Sequence, residues 1–534
     1  MTPNWNGIVD GGNRGTTRQK RILIVNCYFD SVSRRGVPRP HMVPKPMAPV
    51  YLAGAFSREW CDVQLHCEVA SGPLIDSNAL AWPDVLVLTG LTTALDRMKH
   101  LTAYARTLNK NVIVVAGGPA IRALPCYCRR FFDYCCAGDV EQIREVITDA
   151  LGDPYLSEEM FPRYDLAYWL GRIGEVESSR NCNFRCKFCS LTGEGGAYQR
   201  YDLDYIRRQI LAQGKRDFVL FLDNNFYGND RPFFLDRLEL LRDLRRSGAI
   251  RSWTALVTND FFLKQQNVDL ARESGCIALF SGVESFDDDW LRGMNKMQNT
   301  RLSQVDMIRN CLEAGIVFIY GLMLDVVARS VADLRRELEF VTGMSEITQP
   351  AYLTVPIPFP GTPFFDECVS RNLFLPRTKI RDLDGTTLTL RPRDSIRDVV
   401  PFLRDLRSLK GYRRRILKSA IGFTRKYRRV LTRQQMMVAH ASPALLTLYP
   451  FLTAPRELLR FGSGAVKRTY QSSTEPLDDT YTPAMPVASK FVAYFRPTML
   501  TDGDGQLAAG VAADLFGRQR QASTAEALIP ASAL

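Results

Sequence analysis

Three cysteines place the tightest constraint on this chain. The stretch Asn181-Cys182-Asn183-Phe184-Arg185-Cys186-Lys187-Phe188-Cys189 spaces them C-x3-C-x2-C on one short loop. Three thiolates so arranged can hold three irons of a [4Fe–4S] cluster and leave the fourth iron open, unlike a closed site with four cysteines. Zinc would want a fourth ligand close by, yet no Cys or His follows before Cys276. Three buried thiols without a metal are the remaining alternative. An open iron beside a strand end is a place for chemistry as well as for electron storage.

Ahead of the loop, short apolar runs recur at Arg21 to Asn26, Val63 to Cys67, Asp84 to Gly90 and Asn111 to Pro119, with a weaker one at Phe132 to Gly138. A Pro-rich loop (Pro38, Pro40, Pro44, Pro46) and helical segments separate them, and Val140 to Leu151 reads as a closing helix. Apolar runs alternating with helices predict an α/β, doubly wound parallel sheet, whose ligand crevice lies at the C-terminal strand ends. At those ends stand Thr89-Gly90, Gly117-Gly118-Pro119 and Gly138-Asp139, where glycine lets backbone approach a large flat ligand. Cys135-Cys136 falls on the weak strand as a pair of small hydrophobes, so no second cluster is expected with Cys126 and Cys128.

From Ile173 onward six strand runs alternate with helix-period segments. They are Ile173 to Ser179, Phe218 to Asp223, Trp253 to Thr258, Cys276 to Glu284, Ile316 to Leu322 and Ala351 to Pro356. Six βα repeats predict a partial (β/α)6 barrel with its function at the C-terminal strand ends. The cysteines follow the first of these strands. Asp223-Asn224-Asn225-Phe226 ends the second, Glu284 the fourth and Tyr320 the fifth, while the stiff turn Pro356 to Thr362 follows the sixth.

The cysteine spacing, the aromatic Phe188 and the barrel that follows resemble the radical S-adenosylmethionine (radical SAM) superfamily. The preceding domain resembles the cobalamin-binding domain of its class B methyltransferase-like members. The resemblance implies that Cys182, Cys186 and Cys189 ligate the cluster and that the free iron is chelated by S-adenosylmethionine. It puts Phe188, Asp223, Asn225, Glu284 and Tyr320 beside that cofactor, with Lys296 as a further cofactor contact or a surface cation. Thr89, Gly90, Gly117, Gly118, Pro119, Gly138 and Asp139 are implied to hold cobalamin. The D-x-H-x-x-G motif that supplies a histidine below cobalt is absent, since His66 has Gln64 two residues before it and Val69 three after. Family members without that histidine still bind cobalamin; a domain retained for packing alone is the alternative.

The implied reaction is reductive cleavage of S-adenosylmethionine, hydrogen abstraction from an unactivated carbon, and C-methylation of a small-molecule or lipid intermediate. Cyclisation, ring contraction or oxidative rearrangement without methyl transfer stays open, as does an iron–sulfur electron-transfer module. An RNA-modifying methylthiotransferase is disfavoured, because those proteins resemble a different N-terminal domain with its own cluster cysteines. The expected electron donor is external, such as flavodoxin or ferredoxin.

Charge matters at one place only. Between Arg404 and Arg433 lie twelve basic residues and one acid, a local net of +11 against +12 for the whole chain. The body of the protein is thus near neutral, and nucleic acid is not an expected partner. For the basic segment three readings compete: a solvated helix face, a membrane-surface helix handling a lipid, and a site for RNA or an acidic carrier. The expected division is a disordered tail (1–20), the cobalamin-binding-like domain (21–152), a linker (153–172), the barrel (173–385), a basic helical region (386–470) and a largely disordered tail (471–534). Unpaired cysteines and an oxygen-sensitive loop argue for a cytoplasmic protein. A peripheral place at the inner membrane face is compatible with the basic segment.

Overall fold

The computed structural model describes residues 19–28, 46–385, 387–404, 411–448, 471–472 and 481–515. Most of the Pro-rich loop and parts of the basic segment and both tails lie outside these residues. In the N-terminal unit, β1 (Lys20–Asn26) sits between β2 (Cys61–Cys67) and β3 (Val85–Thr89), followed by β4 (Ile113–Gly117) and β5 (Tyr134–Cys136). All pairings are parallel and the order is 2-1-3-4-5. Chain direction across the sheet reverses between β1 and β3, which opens a crevice at their C-terminal ends.

Alternation along the strands divides the core. Leu23, Val25, Leu86 and Leu88 pack with α2 (Leu95–Leu108) on one face. Ile22, Ile24, Val85 and Val87 pack with α1 (Ala48–Ala53) and α4 (Ile143–Leu151) on the other. Both faces are covered, so these strands read as continuous apolar runs. The short helix α3 (Pro119–Ala123) starts directly after Gly118.

The second unit is a six-stranded partial barrel. Strands β6 (Ile173–Val176), β7 (Arg216–Phe221), β8 (Ile250–Val257), β9 (Cys276–Ser281) and β10 (Val317–Ile319) pair in sequence order, all parallel. Pairing then breaks at Tyr320, and β11 (Gly321–Met323) pairs with β12 (Tyr352–Thr354). The fifth strand, expected as one run, is therefore two pieces. Glu284, with φ of 62°, restores contact beyond the break as a parallel bridge to Leu322: its N–H donates to Gly321 O (3.2 Å) and its carbonyl accepts from Met323 N (2.8 Å). Helix α5 (Ser190–Glu194) follows the cysteines, and α6 (Leu203–Ala212), α7 (Arg231–Arg246), α8 (Gln265–Glu273), α9 (Gln304–Glu313) and α10 (Val331–Gly343) form the outer layer.

Helices α11 (Tyr412–Tyr427) and α12 (Arg433–Leu448) extend the barrel side. Tyr412, Ile416, Ser419, Phe423 and Tyr427, one face at helical spacing, are buried against it. The expectation of disorder from residue 471 is corrected for 481–515. This stretch returns to the N-terminal unit and buries Phe491, Phe495, Leu500, Val511 and Leu515 on the α2 side of its sheet. Its small and polar composition hid a few apolar anchors and Thr498, a hydrogen-bond partner of the buried Asp96–Lys99 pair. Among the described residues no helix is long and apolar enough to cross a membrane.

Candidate active site

The cysteine loop is clamped from below. Asp223, fully buried at the end of β7, accepts from Ser178 N (2.7 Å), Ser178 Oγ (2.5 Å) and Ser179 Oγ (2.6 Å). Its charge is met by Arg237 of α7 at 3.2 Å, whose guanidinium stacks 3.8 Å from the Phe226 ring centroid. Burial pushes the Arg237 pKa down and Asp223 partly offsets it. A buried pair of this kind fixes geometry more than it adds stability. Asn225 Nδ2 donates to Asn183 Oδ1 (2.7 Å), Asn295 Nδ2 to Arg185 O (2.7 Å), and Lys187 N to Met294 O (3.0 Å), so the loop is held on three further sides.

The sulfurs are largely desolvated, with the ammonium of Lys296 beside them. Burial raises the Cys182 thiol to about 11 and raises Cys189 too, and neighbouring thiols add to both. Gln298 Nε2 donates to Cys186 Sγ at 3.5 Å, and Phe184 N to Cys182 Sγ at 3.5 Å. Among the described residues no three Cys, His, Asp or Glu side chains converge as a single metal ion would need. The three thiols are close enough to influence one another's charge, and three cysteines on one loop are the donor set of a cluster in which each of three irons takes one thiolate. Lys296 lies 5.5 Å from the Phe188 ring centroid and 3.0 Å from Glu284. Burial disfavours its charge, but Glu284 and the thiols of Cys186 and Cys189 outweigh that and raise its pKa. A cation here favours thiolates.

At the N-terminal sheet's strand ends lies a cavity of about 580 Å³. Thr89, Gly90, Gly117, Gly118, Pro119, Gly138 and Asp139 all line it. Gly118 has φ of 114°, and a Cβ there would stand 2.6 Å from the Gly90 carbonyl oxygen, so only glycine lets the two turns meet. Most of the lining is apolar, as a broad flat macrocycle requires. His66 is not among the lining residues; its Nε2 lies 3.0 Å from Gly72 O.

The two sites adjoin. Leu222, at the end of β7 next to Asp223, is part of the cavity wall. Arg122 of α3 donates to Ala137 O (2.9 Å), Gly138 O (2.7 Å) and Asp139 Oδ1 (2.9 Å), and pairs at 2.5 Å with Glu194 of α5. The proline-rich turn closes the same region. Phe359 and Pro360 line a small cleft with Arg122 and Glu194, and Gly193 presses so close to Gly361 that a Cβ would sit 2.6 Å from its carbonyl oxygen.

Three of the residues expected beside the sulfonium cofactor are buried among protein partners. Asp223 is bound by Ser178, Ser179 and Arg237 and is fully buried, so in this structure it braces the loop. Asn225, equally buried, positions Asn183 in the same indirect way. Tyr320 is a core residue: its hydroxyl donates to Thr348 O at 2.8 Å and its ring packs against Phe286 and Phe318. Phe188, Glu284 and Lys296 do cluster at the cysteines. Sequence reasoning missed Arg122, Glu194 and Leu222, because ion pairs between residues 72 positions apart leave no local pattern; the arginine three residues after Pro119 was the one available signal.

A family profile described as the Radical SAM superfamily matches residues 176–337, and one described as the B12 binding domain matches residues 41–148. The chain is 26% identical over 343 residues to the hopanoid C-2 methylase of Rhodopseudomonas palustris (strain TIE-1), covering 59% of this chain and 62% of that protein. It is 28% identical over 206 residues to the bacteriochlorophyllide d C-12(1)-methyltransferase of Chlorobaculum tepidum, covering 37% of this chain and 42% of that protein. The chain thus spans less than two thirds of either relative. The solved structure of the cobalamin-dependent S-adenosylmethionine radical enzyme OxsB, with aqua-cobalamin and S-adenosylmethionine bound, superposes with a TM-score of 0.53 at 13% identity, over 97% of this chain and 82% of that one. At that identity the likeness is one of fold.

Proposed function

From a chain that combines a B12-binding domain with a radical SAM domain, a pairing that matches cobalamin-dependent radical SAM enzymes, we propose methyl transfer to an unactivated carbon of a small-molecule or lipid substrate. The observation that carries this reading is the closeness of the two sites: the glycine-edged cavity includes Leu222, next to the Asp223 that braces the cysteine loop, and the Arg122–Glu194 pair ties the cavity rim to the helix that follows that loop. The printed names of the two relatives, a methylase and a methyltransferase, add support.

When bound, the cluster with S-adenosylmethionine supplies hydrogen abstraction, and cobalamin supplies the methyl group. Cys182, Cys186 and Cys189 would hold the cluster, and Phe188 with the Lys296–Glu284 pair would contact the sulfonium cofactor. Asp223, Arg237 and Asn225 keep the loop in one geometry, so no reorganisation is needed at the moment of reaction. Gly90 and Gly118 would leave room for cobalamin in the cavity, and the apolar cavity wall would keep water away from reactive species. Electrons come from an external one-electron donor such as flavodoxin or ferredoxin.

The test is product analysis from anaerobically reconstituted enzyme given a reductant, hydroxocobalamin, trideuteromethyl-labelled S-adenosylmethionine and candidate substrates. Equal amounts of 5′-deoxyadenosine and S-adenosylhomocysteine, with label in the product, are expected. Substrate-dependent 5′-deoxyadenosine without S-adenosylhomocysteine contradicts methyl transfer and leaves rearrangement or cyclisation.

A further inference from the structure

Helix α11 carries two faces of opposite purpose. Tyr412, Ile416, Ser419, Phe423 and Tyr427 bury one of them on the barrel, with Ser419 accepting from Gln349 Nε2 (3.0 Å) and Tyr427 donating to Glu346 O (2.7 Å). On the opposite side Arg414, Leu417, Ile421, Arg425 and Arg428 follow at steps of three and four residues and form one outward stripe. Leu417 is 63% exposed and Ile421 45%, at the centre of the stripe, with cations at both ends. From Gly411 to Arg433 there are nine basic residues and no acid. Of these, Arg415 pairs with Glu339, and Lys426 with Glu313 and Glu346. Among the described residues Arg413, Arg414, Lys418, Arg425, Arg428 and Arg429 make no ion pair.

We propose that this outer face of α11 is a docking surface for an anionic lipid membrane. A solvated basic face has no use for two large aliphatic side chains at its centre. Burial in the headgroup boundary, with arginines on phosphates either side, satisfies both features at once. A nucleic acid is the poorer match, because base stacking calls for aromatic side chains and all three aromatics of α11, Tyr412, Phe423 and Tyr427, are buried against the barrel. Met437 of α12, 68% exposed, and Val438 add apolar surface on the helix that follows. The inference goes beyond the proposed reaction and does not depend on methyl transfer.

Vesicle co-sedimentation of the full-length reconstituted protein tests it. Vesicles of phosphatidylglycerol and phosphatidylcholine are expected to bind at least tenfold more protein than phosphatidylcholine alone, and raising the salt should release it. A Leu417→Asp/Ile421→Asp variant should lose that binding while keeping wild-type iron content and S-adenosylmethionine cleavage. An Arg414→Ser/Arg425→Ser variant, which leaves the apolar pair in place, should lower binding to the anionic vesicles alone. Equal binding to both vesicle types, or undiminished binding by the Asp variant, overturns the proposal. Retention of single-stranded RNA with no vesicle binding overturns it in favour of a nucleic-acid face.

Discussion

Arg122 and Glu194 join the cobalamin-binding-like domain to the helix that follows the cysteine loop, through one ion pair at 2.5 Å. The same guanidinium holds the Gly138–Asp139 turn at the cavity edge, so one side chain touches the frames of both cofactor sites. Burial raises the Glu194 carboxyl and the Arg122 charge opposes it.

Arg122→Ala removes three charge-assisted hydrogen bonds from the cavity rim. Cobalamin retention should weaken by about tenfold or more, the equivalent of roughly one or two such bonds. Gel filtration followed by the corrinoid absorbance reads this directly. Glu194→Gln keeps an acceptor for Arg122 and should retain cobalamin; unchanged retention in Arg122→Ala would remove the guanidinium from the account.

Asp223→Asn separates a supporting role from cofactor contact. With Arg237 left buried and uncompensated, the barrel should lose about 3 kcal/mol of stability, seen as a lower urea midpoint. Reconstituted iron should fall with it, since Ser178 and Ser179 lose their acceptor. A variant with full iron and only a raised KM for S-adenosylmethionine would return Asp223 to the cofactor.

A buried clip fastens the C-terminal stretch. Lys99 donates to Asp96 (2.9 Å), Arg496 O (2.7 Å) and Thr498 Oγ1 (3.0 Å), while Asp96 also accepts from Thr498 N (2.9 Å) and Tyr481 OH (2.9 Å). Lys99→Ala should cost about 3 kcal/mol, and limited proteolysis should then cut within 481–515. The pair replaced by Asp96→Leu/Lys99→Met should recover much of that loss.

Beside the clip, His100 stacks on Phe495 with its centroid 4.5 Å away. Burial pushes its pKa down to about 3; Asp96 opposes, while Arg97, Lys99 and Arg381 add to the depression. The edge of Tyr481 also faces it. The unfolded chain takes a proton near pH 6.5 that the folded chain refuses, so this stability is complete above about pH 6.5 and is lost as pH falls towards 3, by up to about 1.4 kcal/mol per pH unit. Urea midpoints at pH 7.5 and 5.5 should differ less in His100→Phe than in the wild type.

Much of this was legible beforehand, and the reason is local. Buried parallel strands such as Ile22 to Val25 and Val85 to Leu88 are covered on both faces and so announce themselves as apolar runs. The cysteine loop and the Gly117-Gly118-Pro119 turn are contiguous, so their chemistry could be read from neighbours in sequence. The protein partners of Asp223 and Tyr320 were not legible, because a strand end is a position, and a position does not say which way a side chain is satisfied. The fastening of 481–515 was invisible for a related reason: its partners Asp96 and Lys99 sit some 400 residues earlier, on a helix whose charges look solvent-facing.

Metal analysis of the anaerobically reconstituted protein tests the central claim, two cofactors at one mouth. The wild type should carry about four irons and about one cobalt per chain. The Cys182→Ala/Cys186→Ala/Cys189→Ala variant should lose the iron and keep the cobalt, and Gly118→Leu, which fills the turn at Gly90, should lose the cobalt and keep the iron. Wild-type protein that takes up iron yet no cobalt, or a triple variant that keeps its iron, would contradict the account.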